Sequence, residues 1–398
     1  MLSPDPTQLA QKQIARDRSD TARFPGIFAR KVLRMSVSPL AYLRGTAPLF
    51  YGLLKSYPTL EKGPAGEGWL CGDAHLENFG VYRTAPRAPN TSKPAPVVFD
   101  INDFDEAIVG PWRYDVLRVL TSLILGGREL GADGKGSIER SGLLLETYVD
   151  AAFREAHLPQ IPHSVAKLIA KVKQRSHVDL LNRRTKPVKG SRVFVRGDRY
   201  TQLPKRLELL AIRAFETYAR TIRVREKFSR PFEVIDVAFR IAGTGSLGKL
   251  RVAVLTRGKG GRDGSWIFDM KEQGAPAPAV LLGKPKLDPA QRVIAGIHAC
   301  VPSPPRMIGN TRLDGLSMFT RRLAPQEDKL DLVRIAPAEL GAIAAYLGSV
   351  LGRAHRRGAK KIPPKAWTRN EQDALLDRAV AMAGIHEAAY LAMCKLTS

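Results

Sequence analysis

The sequence predicts an α+β protein in which a larger helical region is joined to a smaller antiparallel β region. Three observations carry this. Apolar residues recur at helical spacing near both ends: Leu117, Leu120, Ile124 and Leu125, then Leu340, Ile343, Ala344, Leu347, Leu351 and Ala354. Between them, strict alternation puts Trp266, Phe268 and Met270 on one face of a strand and Ile267, Asp269 and Lys271 on the other. Finally, short apolar runs around residues 69–71, 79–82 and 97–99 bracket polar loops, which reads as strand, loop, strand.

The chain has 398 residues, enough for two domains or one bilobal unit, and its 44% hydrophobic content supports an ordinary packed core. The net charge is +25. Such a balance favours anionic partners (phosphorylated substrates, nucleic acid or an anionic membrane surface) and does not bear on fold. Cys71, Cys300 and Cys394 are scattered, with neither a disulfide framework nor a zinc spacing, so a reducing, cytoplasmic setting is expected. The first residues are polar and no run reaches transmembrane length. No internal repeat is present, and oligomeric state is unreadable.

In chain order, residues 5–60 read as mostly helical, with an apolar stripe at Phe28, Val32, Leu33 and Met35. Arg44 precedes a helical run from Pro48 to Leu54; a phosphate holder and a solvated surface arginine are equal readings of it. The stretch Cys71–Gly80, CGDAHLENFG, follows. Asp73 and Asn78 are five apart, so one loop presents a carboxylate and an amide oxygen to a common point. A carboxylate takes a proton from a hydroxyl, and an amide oxygen is a hard ligand suited to Mg²⁺. Residues 83–96 are a Pro-rich loop. VVFDINDFDEA then delivers Asp100, Asp103, Asp105 and Glu106 at the end of a short strand, a density of charge that calls for a cation. A helix over 112–127 carries Asp115 in its first turn, where a carboxylate suits the dipole. Another is expected from about Ser137 to His157.

Residues 160–230 change composition. Twelve lysines and arginines between Lys171 and Arg206 make a basic tract, read either as a solvated face or as a polyanion surface. Aromatic residues are too sparse there for base stacking. SRVFVRGDRY suggests a hairpin and Leu207–Arg225 a helix. Three strands are expected next: 237–241, 249–256 and 265–273. GTGSLG, Gly243 to Gly248, lies between the first two, and RGKGGRDG turns between the second and third. A lone G-x-G-x-x-G is weak, but a strand rather than a helix follows it, then a strand bearing Lys271. That order suits a phosphate-cradling glycine loop with its lysine. Asp288-Pro289 opens a helix. Two more strands, 306–310 and 316–323, complete five. Thr368 and Glu371 form a capping box for a final helix.

D-x-H-x-x-N (Asp73, His75, Asn78), Asp103-Phe104-Asp105 and Trp112–Leu117 together resemble the aminoglycoside and choline phosphotransferases of the protein-kinase-like superfamily. With GDxHxxNFG and NDFDE they resemble a bacterial family of unassigned function placed in that superfamily. Cys71 departs from the family's usual His.

The resemblance implies a bilobal kinase-like fold in circularly permuted order, with catalytic segments before the nucleotide-binding strands. Its parts would be 1–159, the first half of the catalytic lobe; 160–230, a basic insertion; 231–330, the nucleotide lobe; and 331–398, closing helices. It implies ATP and Mg²⁺ as cofactors. Asp73, His75 and Asn78 would be catalytic, and Asn78 and Asp103 would hold metal, with Asp100 the competing ligand. Gly243, Gly245, Gly248 and Lys271 would bind nucleotide. Gln291 stands nearest the place of the helix Glu that pairs with the lysine, and FTRRLAP would be the hinge.

The activity expected is phosphotransfer to an unidentified, anionic hydroxyl acceptor, small molecule or protein. Nucleotidyl transfer, or a non-catalytic nucleotide sensor binding nucleic acid or anionic surfaces, are the alternatives. The basic tract 171–206 would bind polyanions or flank the cleft.

Overall fold

The computed structural model describes residues 4–85, 95–226, 232–257 and 261–397. The middle of the Pro-rich loop, 86–94, and part of the RGKGGRDG turn lie outside the described residues. The fold is mixed α+β with small antiparallel sheets. No helix among the described residues is long and apolar enough to cross a membrane.

The largest sheet runs Gly309–Leu313, Leu316–Arg322, Trp266–Gln273, Arg251–Arg257, Glu233–Arg240 and Tyr200–Thr201. Alternation along Trp266–Gln273 sends Phe268 and Met270 into a core with Val252, Val254 and Met318. Over that face lies the helix Lys205–Glu226, whose Ala211, Phe215, Tyr218 and Ile222 close the layer.

The sheet therefore has a sixth strand. It comes from the basic tract, where the expected hairpin is also redrawn. Ser191–Phe194 pairs with Thr185–Val188, while Tyr200–Thr201 leaves to join Glu233–Arg240. Asp236 accounts for part of this: it accepts the Phe194 N–H and pairs with Arg196, fixing the hairpin beside the sheet. The stretch 160–230 is thus shared out. Val165 and Val172 of the helix His163–Lys173 belong to the other, larger core.

That larger core is mostly helical. Helix Arg113–Glu129 is buried on nearly every side from Tyr114 to Gly127, packed against Gly134–Phe153 and Arg369–Thr397, while Leu340–Arg357 packs on Gly134–Phe153. Pro337–Glu339 forms a separate 3₁₀ turn ahead of Leu340–Arg357. Two three-stranded sheets hold the polar loops at its edge: Ala359–Lys361, Glu67–Leu70, Ile108–Pro111, and Glu327–Lys329, Phe79–Arg83, Val97–Ile101. Asp288 caps Pro289–Cys300, and the Thr368–Glu371 box caps the last helix as the sequence suggests. All three cysteines are free.

Candidate functional site

Between the six-stranded sheet and the polar loops lies a cavity of about 650 Å³. Asp73, His75, Asn78, Asp103, Gly243, Gly245 and Lys271 all line it; Asp100 and Gly248 do not. Residues far apart in the chain meet there. Lys271 pairs with Asp105, 166 positions earlier. Gln273 Nε2 holds the other Asp105 oxygen at 2.8 Å.

The 71–80 loop is held from behind. Asp115, completely buried, accepts the Cys71 N–H at 2.7 Å and the Gly72 N–H at 3.0 Å. His355 Nε2 lies 3.2 Å from Asp115 Oδ2, and its Nδ1 is 2.9 Å from the Tyr148 hydroxyl. Trp112 stacks on that imidazole. Gly72, at φ +79°, admits no Cβ, because the Glu106 carbonyl would stand 1.9 Å away.

Arg118, fully buried on the same helix as Asp115, binds Asp73 Oδ1 through Nε at 2.6 Å and the Leu43 carbonyl through Nη2 at 2.8 Å. Burial nevertheless pushes the Asp73 carboxyl up to about 7; Arg118 opposes the rise, and Glu106 and Asp103 add to it. His75 is buried and held neutral, and its Nδ1 accepts the Glu77 N–H. It shapes the turn Leu76–Asn78. Asn78 donates through Nδ2 to the Asp73 carbonyl at 2.7 Å, which fixes the amide's orientation. Its Oδ1 is buried without a partner.

Asp100 and Asp103 part company. Asp100 accepts its neighbour's N–H from Ile101 and faces Arg357 at 3.5 Å; burial raises its carboxyl to about 6 against the pull of Arg357. Its place as competing metal ligand is therefore corrected: strand alternation turns it away from the cavity. Asp103 has no cation within salt-bridge distance among the described residues. A carboxylate without a cation and the orphaned Asn78 oxygen line the same cavity, donors that fit a hard cation keeping most of its waters, as Mg²⁺ does. Among the described residues, no three or more His, Cys, Asp or Glu side chains are gathered to hold a metal by themselves.

The carboxylate that receives the lysine is Asp105. Burial lowers the Lys271 ammonium, and the nearby Asp103 charge resists that. Gln291 is exposed. The same helix instead sends Arg292 inward to the carbonyls of Asp105, Ala107 and Gly274. The glycine loop is shaped by the N-terminal helices. Gly243 and Gly248 have φ of +76° and +103°. A Cβ on Gly248 would stand 2.5 Å from the Asp20 carbonyl, and one on Gly245 would be 3.1 Å from the Arg44 carbonyl. Arg44 itself faces Glu77 at 2.5 Å.

Residues to which the sequence reading gave no site role complete the cavity wall. Asp269 takes Arg240 at 2.7 Å and Arg251 at 2.5 Å. Burial alone would raise its carboxyl, but the two guanidiniums hold it well below the usual range. Lys249 reaches Glu106, which also accepts the Ala277 N–H.

Fold and site together define a mixed α+β protein whose cavity sets carboxylates on loops opposite cations on a sheet. The chain belongs to the family described as an uncharacterized protein conserved in bacteria (DUF2252), matched over residues 23–396, a span that holds every candidate site residue. No curated protein and no solved structure matches it.

Proposed function

We propose that this protein is an ATP- and Mg²⁺-dependent phosphotransferase with a permuted kinase-like arrangement. The observation that carries the reading is the meeting of Asp73, Asn78 and Asp103 with Lys271 and the 243–246 glycine turn in one cavity. Phosphoryl transfer asks a protein chiefly for positioning and charge neutralisation. Asp73, its carboxyl raised toward neutrality and its Oδ1 fixed by Arg118, would take the proton of an acceptor hydroxyl. The acceptor oxygen bonds to the γ-phosphorus while the bond to the ADP oxygen breaks. Lys271, Arg251 and Arg240 offer positive charge on the sheet side of the cavity. Asn78 and Asp103 would hold the magnesium, which when bound neutralises charge on the phosphoryl oxygens. Val81, Ile101, Phe104, Val293, Ile297 and Phe319 give the cavity an apolar part suited to a nucleobase.

The test is a transfer assay with Mg·ATP labelled in turn at the γ and α phosphates, using a metabolite extract as acceptor. Label moving from the γ position supports the reading, and movement from the α position replaces it with nucleotidyl transfer. Tight Mg·ATP binding with no transfer or hydrolysis would make the protein a nucleotide sensor.

A further inference from the structure

A second recess, of about 710 Å³, adjoins the cavity. Arg175, Arg183, Arg184, Arg196, Arg199 and Arg240 line it. Arg240, Glu327 and Asp328 line both spaces, so the recess and the cavity share a wall.

The chain builds this recess from the basic tract. The helix His177–Arg184 starts in a Ser176–Asp179 capping box and ends with Arg183 and Arg184, where cations suit the helix dipole. The hairpin then returns the chain through Arg196, and Gly197, at φ +157°, turns it so that Arg199 precedes the edge strand.

Three of the guanidiniums already have carboxylate partners: Arg175 has Asp328, Arg196 has Asp236, and Arg240 shares Asp269 with Arg251. The acids around the recess are also spent, since Glu327 pairs with Arg321 and Asp198 with Arg30. Arg183, Arg184 and Arg199 have no carboxylate within salt-bridge distance among the described residues. Arg183 binds only a backbone carbonyl, and the buried Nη1 of Arg184 has no acceptor. Three uncompensated cations facing one concavity leave a surplus that an anion would relieve, and guanidinium forks match phosphate oxygens. The volume is that of a small-molecule site. Tyr200, the aromatic residue of the recess, is buried and stacked on Phe194, so nothing there offers a nucleobase a stacking face.

We infer that the recess binds the phosphate-bearing end of a small acceptor whose hydroxyl reaches into the adjoining cavity, so that the substrate is an already phosphorylated alcohol. The acceptor role rests on the phosphotransferase reading; the anion site stands on the recess itself.

Calorimetry with metal-free tripolyphosphate tests it. The full-length variant Arg183→Ala/Arg184→Ala/Arg199→Ala should lose at least about tenfold in affinity. Removing the same charge elsewhere, in Lys284→Ala/Lys360→Ala/Lys361→Ala, should cost less than about twofold. Lys271→Met should keep tripolyphosphate affinity, and the arginine variant should keep its affinity for a Mg-bound non-hydrolysable ATP analogue. Equal loss in both triple variants would overturn the inference, as would a parallel loss of the ATP analogue. It also falls if an RNA oligonucleotide binds more tightly than tripolyphosphate and is released by the arginine substitutions. Wild type that holds tripolyphosphate in the recess yet transfers no phosphate breaks the phosphotransferase reading and leaves the anion site intact.

Discussion

The two sides of the cavity are held in different ways. On the helical side, the loop with Asp73 hangs on backbone N–H bonds to a fully buried Asp115, which is backed by His355 and Tyr148. On the sheet side, charged side chains neutralise each other: Lys271 with Asp105, Arg240 and Arg251 with Asp269. Backbone hydrogen bonds fix a geometry and exchange with nothing. Ion pairs can trade partners when an anion or a metal arrives. The contrast separates a side built for position from a side built for charge.

The largest expected effect breaks the chemistry on the positional side. Asp73→Asn should lower transfer by roughly 10²–10⁴-fold, measured as single-turnover rate, with ATP-analogue affinity nearly unchanged. A variant that retains full rate would remove Asp73 from the reaction. Next comes the anchor: Asp115→Ala strands two buried N–H groups and an imidazole, so urea unfolding should show a loss of about 3 kcal/mol or more. A loss below about 1 kcal/mol would mean that the loop holds its shape unaided.

Acid should act on the same side. His386 is fully buried beside Phe50, and burial lowers its pKa to about 3. The unfolded chain takes up this proton near pH 6.5, the folded chain only near 3. The stability that depends on neutral His386 is therefore whole above about pH 6.5 and declines by up to roughly 1.4 kcal/mol per unit below it. Asp73 and Asp100, raised by burial, act in the opposite direction, so the observable is wild type minus His386→Gln. That difference should shrink toward acid; a constant difference between pH 7 and 4 would contradict it.

The smallest effect on stability belongs to the charged side. Lys271→Met leaves Asp105 with its Gln273 bond and should cost no more than about 1 kcal/mol. Affinity for the Mg-bound ATP analogue should fall by about tenfold or more. The reverse pattern, large destabilisation with intact affinity, would make Lys271 a structural residue.

What the sequence disclosed follows the same division. The two loops were legible because their chemistry is contiguous: Asp73, His75 and Asn78 fall within six residues, and Asp103 lies close behind. Lys271 was legible because strand alternation put it on the face opposite Phe268 and Met270. The supporting residues were hidden. Arg118 sits in a helix read for its apolar period, through Leu117, Leu120, Ile124 and Leu125, and itself drew no notice. An arginine in the apolar middle of such a helix calls for an anion, and that signal was available. His355 lies 240 positions from the carboxylate it supports, a distance no local pattern spans. The pairing of Lys271 with Asp105 was not legible, because Asp103 and Asp105 stand in one short turn, where spacing alone does not say which carboxylate faces the sheet. Gly248 was assigned to phosphate, yet the Asp20 carbonyl is what requires it to be glycine.

The Asp115–His355 contact also sets a condition on synthesis. A ribosome finishes the Asp73 loop early, and Asp115 follows soon after. The imidazole that backs this carboxylate comes 240 positions later, and Lys271 comes 166 positions after Asp105. Until then Asp105 stands without its lysine and Asp115 without its imidazole. The latch of this site therefore closes only once the chain has been made through His355, and contacts of such long sequence separation close slowly. A chain that stops short of His355 has already made Asp73, Asn78 and Asp103, but lacks the latch that holds their loop in place.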